Sequence, residues 1–310
     1  MKRSSTDPRV PLLVDTDIGS DIDDAVALSY LLRQTRCELA GITTVTGKVA
    51  QRAVCAHAVC QAAGRGDVPI ATGASTPLLS GKSQLEVPQF AAIESMSGQP
   101  GQLGGSFPGD AVGLLRSTIR ARPGEITLLA IGPLTNIALL FALDPEIPSL
   151  LKAFVAMGGS FFEPMRTYVP AEYNLRADPI ASAMVFNRVY PNSSPFTAIG
   201  LDVTGQCCLE PEEVRHRFTA APLDIALTMA EVWFKGAINM AFHDPLAATV
   251  IFEPNLCQYQ TGSITIATDG DHPGASVFTP DPDGPHRVAT EVDSSAFFRH
   301  FFAQFETETS

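Results

Sequence analysis

Leu12, Leu13 and Val14 form an unbroken apolar run, the pattern of a strand buried on both faces. A polar stretch with Gly19 at its middle follows, and over 25–32 apolar residues recur at helical spacing. Strand, loop and helix in that order open a βα unit. The alternation then repeats. Residues 38–45 (ELAGITTV) are rich in β-branched side chains and read as a second strand, 49–63 as a helix after a turn at Gly47, and 68–71 (VPIA) as a short third strand. Helix 110–119, strand 126–131, a helix opening at Pro133 and running to 141, and strand 154–157 follow. Further on come a helix from 179, strand 196–201, helices from 210 and over 223–235, and a helix around 243–250 with Pro245 near its start. Strands near 256–267 and 286–292 and a helix over 294–305 close the chain. Two stretches, 72–108 and 160–170, hold no period and read as irregular loops that decide ligand choice. Phe297, Phe298, Phe301, Phe302 and Phe305 recur at helical spacing, which marks a core-facing stripe.

Strands alternating with helices predict an α/β fold: a mostly parallel open sheet with helices on both faces. No linker or composition shift divides the 310 residues, so a single domain over 1–310 is expected, with 1–10 as a flexible tail. Composition narrows the function. A net charge of −12 argues against a phosphate-backbone partner, so no nucleic acid is expected. No segment approaches a membrane span, and MKRSSTDPRV lacks the apolar stretch of a signal peptide, so a cytoplasmic protein with no membrane partner is expected. None of the six cysteines forms a C-x-x-C pair, and they read as reduced core or surface residues.

The chemistry concentrates in the first loop. Asp15, Asp17, Asp21, Asp23 and Asp24 lie between one strand and one helix. Ligands in open α/β sheets bind where strands give way to loops. Five acids there repel one another unless a positive charge sits among them, and a hard divalent cation is the simplest one. Helix capping by Asp21 or Asp23 accounts for one or two of the acids and leaves the rest. Far along the chain, His243 and Asp244 stand side by side at a helix start. Asp244 suits a cap or a metal ligand, and His243 a general acid.

DTDIGSDIDDAVAL at 15–28, GITTVTG at 41–47, AIGPLTNIA at 130–138, MGGS at 157–160, AEYNLRADP at 171–179 and HDPLA at 243–247 occur in this order. Together they resemble the calcium-dependent nucleoside hydrolases, the inosine–uridine-preferring type and its relatives. The resemblance implies an enzyme that cleaves the N-glycosidic bond of a ribonucleoside with a Ca2+-activated water, acts in base salvage and forms a homo-oligomer, a dimer or tetramer. By position it implies Asp17, Asp24, Asp244 and the backbone carbonyl of Ile131 as calcium ligands, with Asp17 also the base. It implies Asp23 on the ribose hydroxyls, Glu172 and Asn174 on the sugar, Met157 at the substrate, and His243 at the leaving base.

Three departures from the family pattern bear on the substrate. The first loop is two residues longer, which leaves Asp21 as an alternative to Asp23. Lys48 and Arg166 stand where the family places amides near the sugar. As cations they raise the expectation of an anionic or modified nucleoside, with another glycoside in the same fold as a further alternative. Two other readings remain open: a metal-binding homologue without turnover, and a phosphatase with Asp15 as nucleophile. The phosphatase wants late acids near the site, and the acid clusters at 268–271 and 281–284 look like turns.

Overall fold

The computed structural model describes residues 9–96, 107–190 and 193–306. Its strands are β1 (Val10–Thr16), β2 (Cys37–Thr44), β3 (Ile70–Thr72), β4 (Thr127–Ala130), β5 (Ala153–Met157), β6 (Phe196–Ile199), β7 (Cys208–Leu209), β8 (Met240–Ala241), β9 (Cys257–Ile266), β10 (Ser276–Pro280) and β11 (His286–Val292). Nine of them form one sheet in the order β10-β9-β11-β6-β5-β4-β1-β2-β3, while β7 and β8 pair as a small ribbon. From β3 to β11 every pairing is parallel, and β9 runs antiparallel to both of its neighbours. The mostly parallel open sheet expected from the alternating pattern is therefore present.

Side chains on β1 alternate between two cores. Leu12 and Val14 face one, shared with the helices Asp23–Arg33, Val49–Ala62 and His243–Thr249. Leu13 faces the other, with Leu128, Ala130, Phe154 and Ala156. Each face of the sheet is thus covered, which is why the strands read as apolar runs. Strand order reverses between β1 and β4, so a crevice opens at their carboxyl ends. Asp15, Asp17 and Ile131 lie there.

The phenylalanine stripe behaves as its spacing implies. Phe297, Phe301, Phe302 and Phe305 are buried, and Phe297 and Phe301 meet Phe242 at ring-centroid distances of 6.0 and 5.5 Å. Phe242 precedes His243, so the stripe anchors the start of helix His243–Thr249.

Several boundaries differ from the sequence reading. The stretch 72–108 holds a helix, Pro88–Met96, nucleated by a proline and buried through Gln89 and Ile93. Residues 97–106 of that stretch lie outside the described ones. Within 160–170, Met165–Tyr168 makes a single helical turn. β6 stops at Ile199, and Leu201–Thr204 turns into a short helix. Pro133 lies ahead of its helix, Thr135–Leu143, rather than at its first position. β10 escaped the reading because it is a five-residue edge strand with mostly exposed positions. The tail expected over 1–10 ends earlier, since Val10 already pairs in β1, and residues 1–8 lie outside the described ones. Among the described residues, no helix is long and apolar enough to cross a membrane.

Candidate active site

β1 carries Asp15 and ends one residue before Asp17, and the loop that follows returns to the helix that Asp23 and Asp24 open. Ile18 and Ile22 are buried in the core and pin the loop from inside. The four later acids face outward into a cavity of about 690 Å3. Asp15 does not line it. Its Oδ1 accepts from Thr43 Oγ1 (2.5 Å) and Asn136 Nδ2 (2.8 Å), while its Oδ2 is buried without a partner. Burial pushes this carboxyl up to about 7.

Asp17, Asp21, Asp23, Asp24 and Asp244 all line the cavity, with Ile131, Met157, Glu172, Asn174 and His243. Asp23, Asp24 and Asp244 are buried and can bring one oxygen each to within 4.8 Å of the others. All three carboxyls are raised well above the usual range, first by burial and then by their neighbours' charges. An oxygen-only set of crowded, buried carboxylates fits a hard divalent cation.

This triad differs from the ligand set implied by resemblance. Asp23 joins it, because its Oδ2 accepts the backbone N–H of Asp244 at 3.1 Å and draws the two segments together. Asp17 lines the same cavity, close enough that its charge raises both Asp23 and Asp24. Burial pushes Asp17 up to about 6, against the pull of the Arg52 charge, and burial also raises Asp21 to about 6. The Ile131 carbonyl faces the cavity and accepts from Asn174 Nδ2 at 3.2 Å.

Glu172 caps the helix Tyr173–Ala177. One carboxyl oxygen accepts from the N–H of Asn174, the other from those of Gly159 and Leu175. Asn174 is held from the other side by the carbonyls of Ile131 and Met157, each at 3.2 Å. His243 is mostly enclosed, and its Nδ1 lies 2.7 Å from Thr204 Oγ1. Burial pushes the imidazole down to about 4. A neutral imidazole can still give a hydrogen bond or a proton, so the role of general acid at the leaving base stays open to it.

Lys48 and Arg166 are not on the wall of this cavity, although Glu86, the partner of Lys48, is. Lys48 is exposed and lies 3.5 Å from Glu86, and Arg166 is exposed and paired with Glu163 at 3.0 Å. Nearby acids hold both at the surface. The cation on the wall is instead Arg176, stacked 5.4 Å from the Tyr173 ring. Sequence reasoning also missed Trp233 on the wall and two buried supports, Asn136 and Arg52. Asn136 had a signal, a polar residue inside the apolar run of AIGPLTNIA. The others had none.

The sequence match supports the same reading. Residues 12–299 match the model of the inosine-uridine preferring nucleoside hydrolase family. Uridine nucleosidase 1 of Arabidopsis thaliana is 30% identical over 277 residues, covering 84% of this chain and 79% of that protein. The non-specific ribonucleoside hydrolase RihC of Escherichia coli (strain SMS-3-5 / SECEC) is 32% identical, covering 85% of this chain and 86% of its own. Among solved structures, the purine-preferring ribonucleoside hydrolase from Gardnerella vaginalis superposes with a TM-score of 0.78 at 25% identity, over 95% of this chain and 98% of that one. With the acid-lined crevice at the strand ends and this match over nearly its whole length, the chain belongs to the inosine-uridine preferring nucleoside hydrolase family.

Proposed function

We propose that this protein hydrolyses the N-glycosidic bond of a ribonucleoside to free base and ribose, with calcium held by Asp24 and Asp244 together with Asp23 or Asp17. The observation that carries this reading is the buried Asp23–Asp24–Asp244 triad in the same cavity as Glu172 and Asn174. A calcium ion bound there would supply positive charge that lowers the pKa of water.

The chain's own residues do the rest. Asp17, on the wall beside the triad, takes the proton of the attacking water. The water oxygen bonds the anomeric carbon as the C–N bond breaks and its electron pair leaves with the base. The sugar passes through an oxocarbenium-like state, which the surrounding carboxylates favour. Glu172 and Asn174 keep their orientation towards the sugar because backbone groups tie both down. Asp21 and Met157 complete the wall around it. The Thr204 hydroxyl on Nδ1 leaves Nε2 of His243 to hydrogen-bond the departing base. A homo-oligomer acting in the cytoplasm goes with this reading by resemblance alone.

Incubating the protein with uridine, cytidine, inosine and adenosine, and measuring free base and ribose, tests the reading. Equimolar release of the two products from at least one nucleoside supports it. Release from none of them would overturn it in favour of an anionic substrate or a binding homologue. Arg176 on the cavity wall favours a second reading, a nucleoside carrying an anionic group. Faster turnover of a 5′-phosphate than of its parent nucleoside, lost in Arg176→Ala, would establish that reading. Preference for the plain nucleoside would dismiss it.

A further inference from the structure

Arg52 is the largest fully buried side chain among the described residues, 0% exposed. It sits in the first turn of helix Val49–Ala62, where a cation opposes the helix dipole. Helix stability therefore does not explain its placement. Its hydrogen bonds do. Nε donates to the Thr46 carbonyl (2.8 Å), and Nη2 to the Gln84 carbonyl (3.1 Å). Nη1 donates to the carbonyls of Asp17 and Ile18 and to the Ser20 hydroxyl. None of these acceptors is a carboxylate: the guanidinium grips four backbone carbonyls and one hydroxyl.

Three segments meet on this one side chain: the acid loop, the turn after β2, and the cavity wall at Gln84. The turn is strained, with Thr46 left-handed at φ 64°. Ser20 passes the linkage on to the Glu86 carbonyl (2.9 Å), and Gln89 Nε2 holds the carbonyls of Ser20 and Asp21 from the opposite side. The two extra residues of the loop are thus fastened from both flanks.

We propose that Arg52 is a positioning residue for the cation: its fork clamps the lengthened acid loop so that Asp23 and Asp24 reach Asp244. This rests on the cation site of the proposed function but not on its reaction. Lysine keeps the charge and loses the fork, so Arg52→Lys separates geometry from charge. Calorimetric titration of chelator-treated full-length protein with calcium is the test, alongside the melting temperature of the calcium-free protein. Arg52→Lys is expected to bind calcium about 10–100-fold more weakly, as substitutions of residues that hold metal ligands in place do, while melting close to the parent. Ser20→Ala, which deletes one acceptor and folds even if Arg52→Lys does not, is expected to weaken binding about three- to tenfold, one hydrogen bond's worth. Calcium affinity of Arg52→Lys within about twofold of the parent, less than one hydrogen bond contributes, would overturn the proposal. So would a lowered melting temperature with unchanged affinity, the mark of a purely structural role. A parent that binds calcium but releases no base would refute the reaction alone, and a parent that binds no calcium would refute both.

Discussion

Asp15 and Asp24 are both buried aspartates of one short segment, and their surroundings give them different work. Asp15 spends one oxygen on Thr43 and Asn136, away from the cavity, whereas Asp24 faces the cavity with Asp23 and Asp244. The acids were legible as a group because five carboxylates beside an apolar strand repel one another unless a cation joins them. Which of them converge was not, because that depends on where the loop and Asp244 meet. Basic residues were less legible still. Lys48, Arg52, Arg166 and Arg176 look alike in the sequence, yet two are surface ion pairs, one is wholly buried and one lines the cavity. Lys48→Ala and Arg166→Ala are accordingly expected to change kcat/KM by less than about fivefold, the scale of an exposed ion pair. A larger loss in steady-state assays would return them to the site. His243→Ala is expected to lower kcat by about 100-fold with little change in melting temperature, the range for a group assisting proton transfer to the leaving group. Parent-like kcat in that variant would remove His243 from the chemistry.

The elements that build the crevice were read from their periods with little error, because long buried strands and amphipathic helices have strong patterns. Short pieces were missed: helix Pro88–Met96 hides among Gln and Ser, and β10 is an exposed edge. The missed helix matters for the site, since Gln89 on it holds the carbonyls of Ser20 and Asp21. Close approach of elements is equally invisible in a sequence. Gly132, just after β4, lies so near β1's end that a Cβ there would stand 2.9 Å from both the Asp17 nitrogen and Val45 Cγ1. Gly132→Ala is expected to cost about 1–3 kcal/mol in denaturant unfolding, as overpacking does, and to displace Asp17. Parent-like stability together with parent-like activity would show that the strand ends have more room than this geometry allows.

At the scale of the whole molecule, the sheet's reversal between β1 and β4 gathers the acids, and their crowding makes the cation-free site unfavourable at neutral pH. Asp15 is pushed up to about 7 and Asp17 and Asp21 to about 6, with Asp23, Asp24, Asp244 and Glu172 also raised, all chiefly by burial. An acid whose folded pKa exceeds its unfolded value, about 4, stabilises fully below the unfolded value, and that contribution disappears as pH rises through the folded one. His243 and His286, pushed down to about 4, act oppositely, since the unfolded chain takes up their protons first as pH falls. Comparing calcium-loaded with calcium-free protein isolates the acids. The rise in melting temperature caused by calcium is expected to grow as pH rises through about 6, where Asp17 and Asp21 on the cavity wall ionise. A constant or shrinking rise would mean that the acids do not hold the ion.

The most direct measurement is nucleoside hydrolysis by chelator-stripped protein as calcium is added back, using whichever nucleoside of the panel releases base fastest. The expected result is no base release in chelator and recovery that saturates at one calcium per chain. Full hydrolysis in chelator, unchanged by added calcium, would contradict the claim that the acid triad works through a bound cation.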